Sequence, residues 1–476
     1  METKHLETDY LIVGSGAVGM AFADTILTET NASITIIDQH HKPGGHWNDA
    51  YPFVTLHQPS AFYGVSSVEL SSGRLDEVGL NKGMHELASG AEVLAYFDQV
   101  MRHHFLPSGR VQYFPMCRYA QSSDDGLAEF YSINSSRKFS IKVNKKIVDS
   151  TYFKTSVPAT HTPNFEISPD VNFVPLNALP ELNTPADAYV VVGGGKTGLD
   201  ACLWLLEHYI EPELIHWVMP RDGWWLDRIN TQSSRDFFKH SVGAQASQLE
   251  AIGKAKNMPD LFDRLEKSGV LMRLDESVTP TMFHGATVSR DELKELRRID
   301  NVIRKGRVNK LSPGKIEFGE SSVSMPENTV YIDCSARAVQ ATETYPVFAD
   351  NTITIQTVRS YQPVFSASFI AYIEANYDHQ ATKNDICQVV PLPNHDYDWL
   401  LGMAAQMRNQ QRWSQEPNLR QWMINNRLDA FTKLVTPDDT STDEELKILA
   451  SIKSAIPAVL ENMPKLMQEA LRNISQ

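Results

Sequence analysis

The stretch DYLIVGSGAVGMAFADTILTE (residues 9–29) decides the fold. It reads as a short apolar strand, a glycine turn and a helix, with Gly14, Gly16 and Gly19 in G-x-G-x-x-G spacing. The first glycine permits the tight turn and the second lets the backbone approach a pyrophosphate. The third lets helix and strand pack closely, helped by Ala21 and Ala23. The helix N-terminus then offers free N–H groups and a positive dipole end to phosphate oxygens. The next strand, SITIID, ends in Asp38, nineteen residues beyond Gly19, where a carboxylate can accept from a ribose diol.

The pattern recurs at AYVVVGGGKTGLDACLWLLEH (188–208), with Gly193, Gly195 and Gly198. Here the following strand, ELIHWVM, leads into Pro220 and Arg221 instead of an acid. An arginine at that end suits a 2′-phosphate, which favours NADPH over NADH, and Lys196 can add a phosphate contact. Two dinucleotide sites in one chain imply a relay in which one cofactor delivers hydride and the other receives it. A flavin is the natural acceptor, because it takes two electrons and passes them on singly or to oxygen. The fold class expected is α/β, with two Rossmann-like dinucleotide-binding domains, for FAD and NADPH, and a helical C-terminal extension.

Composition sets the bounds. A chain of 476 residues is too long for one simple core, and 42% hydrophobic with 21% charged residues is the balance of a globular protein. A net charge of -14 argues against a nucleic-acid or anionic-membrane partner. Cys117, Cys202, Cys334 and Cys387 contain no C-x-x-C pair, which excludes a local dithiol motif and fits a reducing, cytoplasmic setting. The apolar run from Tyr10 to Ala23 follows an acidic lead-in, METKHLETD, unlike an export signal, and no run approaches the length of a membrane helix. His40, His41 and His46 cluster without zinc or metalloprotease spacing, so no metal is expected.

Three parts are expected: residues 1–182, the first part of the FAD domain; 183–325, the NADPH domain with a helical insertion at about 233–305; and 326–476, the second part of the FAD domain with C-terminal helices. Residues 137–156 alternate like paired strands with lysines outward, and the proline-rich run 161–185 reads as the crossing linker. Residues 306–336 read as a hairpin followed by a strand, YIDCSA, that returns the chain to the first domain. TSTDEELKILASIKSAIPAVLENMPKLMQEAL opens with capping residues and carries an apolar stripe interrupted by Pro457 and Pro464.

Between the two fingerprints lies GGHWNDAYPFVTLHQPS (44–60), dense in aromatic and imidazole side chains. With the two glycine loops and the YIDCSA strand, it resembles the two-dinucleotide-domain flavoproteins, and within them the flavin-containing and Baeyer–Villiger-type monooxygenases. The resemblance covers about residues 8–340. It implies FAD at the first fingerprint and NADPH at the second, with a C4a-(hydro)peroxyflavin oxygenating a small organic substrate. Gly44, Gly45 and Trp47 match the family's G-G-x-W beside the flavin, and Tyr51 and Pro52 resemble its Y-P pair. Asp333, before Cys334, Ser335 and Ala336, stands where the family has its closing A-T-G strand, and is expected to line the FAD site.

Where Baeyer–Villiger members keep an aspartate near the flavin, this chain has His57, a group able to move a proton near neutral pH. Trp47 and His46 complete the candidate catalytic set. The linker signature is half present: His161 and Phe165 fit, but Thr155 and Val157 replace its Phe and Gly. Cys202 and Cys334 read as packing residues, and Trp217, Trp224 and Trp225 as core or nicotinamide stacking. The leading expectation is an FAD- and NADPH-dependent monooxygenase using O2, without membrane insertion and with its oligomeric state open. A flavin-dependent reductase without oxygen insertion, and a nucleotide-binding protein without chemistry, stay open beside it.

Overall fold

Strands of a parallel sheet covered on both faces are apolar throughout, and the two glycine fingerprints each follow such a strand. The computed structural model describes residues 4–122, 126–337 and 343–474. In the first sheet Val111–Phe114, Ile34–Ile37, Lys4–Val13 and Lys138–Asp149 lie side by side in parallel. All four residues of Ile34–Ile37 are buried, and Val13 pairs with Ile37, so both strands end level at the first glycine loop. The long strand Lys138–Asp149 has two roles. Its C-terminal end takes Thr352–Thr354 in parallel, and its other end forms an antiparallel meander with Leu127–Ser132 and Cys117–Ser122. Lys138, Lys142 and Lys145 face solvent while Phe139, Ile141, Val143, Ile147 and Val148 are buried, the alternation expected of it.

The second sheet repeats the plan. Val302–Ile303, Ile215–Val218, Ala188–Val192, Thr329–Asp333 and Asn172–Pro175 are all parallel, and every residue of Ala188–Val192 is buried.

Two expectations need correction here. The run at 161–185 is more than a linker, since Asn172–Pro175 is an edge strand of the second sheet. The strand Thr329–Asp333 also belongs to the second sheet, where Asp333 pairs with Val192, and the chain returns to the first sheet only at Thr352–Thr354. Asp333 therefore stands beside the second glycine loop and not on the first sheet. The insertion is mixed: helices Phe238–Lys254, Met258–Lys267 and Arg290–Leu296 surround a small sheet of Leu271–Met272, Gly223–Asp227 and Met282–Val288. The hairpin expected within 306–336 is present as Lys310–Ser312, Lys315–Phe318 and Ser321–Ser324.

The C-terminal part is helical. Helix Pro363–Asn376 packs on the first nucleotide helix, Ala17–Glu29, and Thr25 Oγ1 lies 2.8 Å from Ser368 Oγ. The last helix, Asp443–Ile474, runs through Pro457 and Pro464 and lies along Phe238–Lys254. A Cβ at Gly253 would come within 3.0 Å of the Ala458 side chain, so a small residue is needed at that crossing. Thr442 and Glu445 form the expected cap, exchanging bonds of 2.7 and 3.2 Å.

Candidate nucleotide sites and the surface between them

Each glycine loop is shaped by close backbone approach. Gly14 and Gly193 adopt positive φ, +102° and +142°, which L side chains rarely do. A Cβ at Gly19 would sit 2.2 Å from the Gly14 carbonyl oxygen, and one at Gly198 2.1 Å from that of Gly193. Helix and strand can therefore meet only with glycine in both third positions. The second glycines, Gly16 and Gly195, cap the helices Ala17–Glu29 and Lys196–Glu207. Nothing lies within 4 Å of a Cβ at Gly195, so the helix N-terminus there faces open space. At the first loop, Gly44 N–H donates to the Ser15 carbonyl at 2.9 Å, and a Cβ on Gly45 would meet Gly16 Cα at 2.9 Å. The glycine pair of GGHW is thus laid directly on the first fingerprint.

Asp38 is buried at the end of its strand, as the fingerprint requires, but it is not a free acceptor. Ser15 donates to Oδ2 through its N–H (2.5 Å) and hydroxyl (2.8 Å); His40 donates to Oδ1 through its N–H (2.7 Å) and reaches it with Nδ1 (2.9 Å). A carboxylate has about four acceptor positions, so a ribose diol would exchange with one of these donors. The other His40 nitrogen, Nε2, is 2.9 Å from Asp49 Oδ2. Hydrogen bonding to Asp38, opposed by burial and reinforced by Asp49, pushes the His40 pKa up to about 9, so His40 is an imidazolium between two carboxylates. Burial raises the Asp38 carboxyl, but the bonds from His40 and Ser15 outweigh it and hold the net pKa down. The histidine cluster carries this structural role, and among the described residues no group of His, Cys, Asp or Glu is arranged to hold a metal.

The candidate catalytic residues behave differently from expectation. Trp47 is buried, donates its indole N–H to the Tyr63 hydroxyl at 2.8 Å, and stacks against His46 with centroids 5.5 Å apart. Burial lowers the His46 pKa to about 4. Burial, with Lys196 and then Arg228 nearby, pushes His57 well below its ordinary value. Its surroundings therefore favour the neutral imidazole over the imidazolium. Arg228 itself is buried and held by Glu292 at 2.8 Å and by the Thr287 carbonyl at 3.3 Å.

At the second loop, Arg221 follows the strand Ile215–Val218 and donates to Asn394 Oδ1 at 2.9 Å. Burial and then the charges of Arg307 and Arg337 lower its pKa, while Asp398 and Tyr397 oppose the shift. None of the three arginines makes an ion pair among the described residues. Arg221 therefore lies in the field of two further cations, with the Asp398 carboxylate as an opposing charge, a setting that can receive an anion. Sequence reasoning found Arg221 and missed its companions, which come from the edge strand's exit and the segment after Cys334. Asp333 is occupied locally, accepting from Ser335 N–H (2.9 Å) and hydroxyl (2.6 Å). Burial keeps the Cys202 and Cys334 thiols well above their ordinary pKa, so both are packing groups. Trp217, Trp224 and Trp225 are core: Trp217 donates to the Gly193 carbonyl at 2.8 Å and Trp224 stacks on Phe262 at 5.4 Å.

The rest of the aromatic stretch joins the two loops. Tyr51 donates its hydroxyl to Asp200 Oδ2 at 2.5 Å, and Phe53 stacks on Trp204 at 5.5 Å, one helical turn further along Lys196–Glu207. Lys196 pairs with the other oxygen of Asp200. The segment that starts against the first fingerprint therefore ends docked on the helix of the second.

The comparisons agree with this architecture. A model of NAD(P)-binding Rossmann-like domains matches residues 12–67. The structure is similar to cyclohexanone-bound cyclohexanone monooxygenase in its rotated conformation, with a TM-score of 0.50, 11% identity, and coverage of 78% of this chain and 86% of that one. The fold is that of the two-dinucleotide-domain flavoenzymes, and at the level of fold the resemblance read from the sequence is borne out. Uncharacterized protein Rv2000 of Mycobacterium tuberculosis (strain ATCC 25618 / H37Rv) is 41% identical over 473 residues, 99% of this chain and 87% of that protein. Uncharacterized protein Mb2023 of Mycobacterium bovis matches to the same extent. The chain belongs to one family with these mycobacterial proteins.

Proposed function

We propose that the protein is an FAD-dependent, NADPH-consuming monooxygenase acting on a small organic molecule in the cytosol. The observation that carries this reading is the pair of glycine loops joined by one aromatic segment, with Arg221 and the nearby charges of Arg307 and Arg337 at the second. Gly14, Gly16, Gly19, Asp38 and Gly45 would hold FAD, with Trp47 packed beside it. Gly193, Gly195, Gly198 and Lys196 would hold the pyrophosphate of NADPH, and Arg221, with Arg307 and Arg337, its 2′-phosphate. FAD, when bound, accepts two electrons and passes them to oxygen or to another acceptor. The residues between the loops exclude water: Trp47 and Tyr51 are buried, and His46 and His57 are held neutral. Residues 1–182, 183–325 and 326–476 remain the proposed division, with the second unit's sheet completed by Asn172–Pro175 and Thr329–Asp333. No helix among the described residues is long and apolar enough to cross a membrane.

A reductase that transfers electrons without inserting oxygen is the second reading. It is favoured by the surroundings of His57, which disfavour its imidazolium form at the place where Baeyer–Villiger members keep an aspartate. Rapid mixing separates the two. The purified protein is reduced with NADPH, oxygen is admitted, and the visible spectrum is followed. A long-lived absorbing species before the oxidised spectrum returns supports oxygen insertion. Immediate return with stoichiometric peroxide supports the reductase.

A further inference from the structure

We infer that Lys196, Asp200 and Tyr51 form a latch through which a phosphate at the second glycine loop tightens the aromatic segment onto the second helix. The inference rests on the reading of Gly193–Gly198 as a dinucleotide loop. Lys196 is the first residue of its helix, so its side chain starts beside the free N–H groups where a phosphate binds. In the structure it turns back one turn and pairs with Asp200 Oδ1, while the Tyr51 hydroxyl holds Oδ2 at 2.5 Å. All three are largely enclosed, with Lys196 and Asp200 side chains 12% and 15% exposed and Tyr51 buried. Burial, and then the Asp200 charge, raises the Tyr51 pKa well above its ordinary value, so the phenol keeps its proton and donates.

A phosphate at the helix N-terminus competes with Asp200 for the ammonium. When Lys196 turns to the phosphate, the largely enclosed carboxylate has lost its cation and relies on the Tyr51 hydroxyl. That bond strengthens, because hydrogen bonds to a charged group grow as competing partners leave. Phe53 on Trp204 holds the same segment one turn along, so the pull is transmitted to the stretch that carries His57. Linkage is reciprocal: a bond strengthened by nucleotide binding must in turn favour nucleotide binding.

The test is a double-mutant cycle on NADP+ affinity, measured by calorimetric titration of the full chain. Tyr51→Phe should weaken NADP+ binding about five- to tenfold, a fraction of the worth of a hydrogen bond to a charged group, because the bond is present before nucleotide binds and only strengthens with it. In an Asp200→Asn background the same change should alter affinity less than about twofold, because no charge is left to satisfy. Lys196→Met provides a second background in which the effect should vanish, since the ammonium no longer moves between two partners. Thermal unfolding of each variant confirms that it is folded. An equal effect of Tyr51→Phe in all backgrounds, or none in the native one, overturns the latch alone. A native chain that binds neither NADP+ nor NADPH overturns the latch together with the reading of the loop.

Discussion

Replacing Arg221 with glutamine removes a guanidinium group that lies in the field of Arg307 and Arg337 and is opposed by Asp398. A hydrogen bond to a charged group contributes about 1.5–3 kcal/mol, so NADP+ affinity should fall roughly 10- to 150-fold. NAD+, which lacks the 2′-phosphate, should change less than about twofold. Without nucleotide, losing the 2.9 Å bond to Asn394 opposes the relief of repulsion from Arg307 and Arg337. Stability of the free protein should therefore stay within about 0.5 kcal/mol. The assay is urea unfolding with each nucleotide. At a concentration of 100 Kd, NADP+ protects the native chain by about 2.7 kcal/mol. A Kd weakened about thirtyfold leaves about 0.9 kcal/mol at the same concentration. Parallel loss of protection by NADP+ and NAD+, or undiminished protection by NADP+, would refute the assignment.

Two further outcomes follow from the geometry. Arg427 is half-buried and donates to the carbonyls of Ala61, Tyr63 (2.9 Å), Val65 and Val68, so it pins the segment leading out of the aromatic stretch. Arg427→Met should cost about 2–4 kcal/mol in urea unfolding and open residues 61–68 to limited proteolysis; unchanged cleavage would contradict this. His40 has a folded pKa of about 9, above its ordinary value of 6.5. Its contribution to stability is therefore fully present below about pH 6.5 and is lost as pH rises through about 9. His40→Gln should flatten that part of the stability–pH curve, and an unchanged slope between those values would remove the imidazolium from the account.

Legibility followed range. The two fingerprints were readable because each is local: strand, glycines and helix lie within about twenty residues, and the spacing itself encodes the close approach of Gly19 to Gly14 and of Gly198 to Gly193. The return strand was not. Thr329–Asp333 is an apolar run that suits either sheet, while the true return, Thr352–Thr354, is three residues long and has no period to read. The arginine trio escaped for the same reason, since Arg307 and Arg337 are brought to Arg221 only by the second sheet's order. His57 was found by position, but its charge state depends first on burial and then on Lys196 and Arg228, all set by parts of the chain remote in sequence. In GGHWNDAYPF, Trp47 was expected beside the flavin and in the catalytic set and is buried against His46 and Tyr63, while the docking of Tyr51 and Phe53 on Asp200 and Trp204 needed the second helix in place.

The central claim is that one chain holds FAD at its first glycine loop and NADPH at its second, with electrons passing between them. Anaerobic mixing of the purified, FAD-supplemented protein with NADPH, followed by absorbance, tests it most directly. The account predicts a flavin spectrum that bleaches on NADPH addition, and more slowly with NADH at equal concentration. A protein that takes up no FAD, or whose flavin stays oxidised in saturating NADPH, would contradict it.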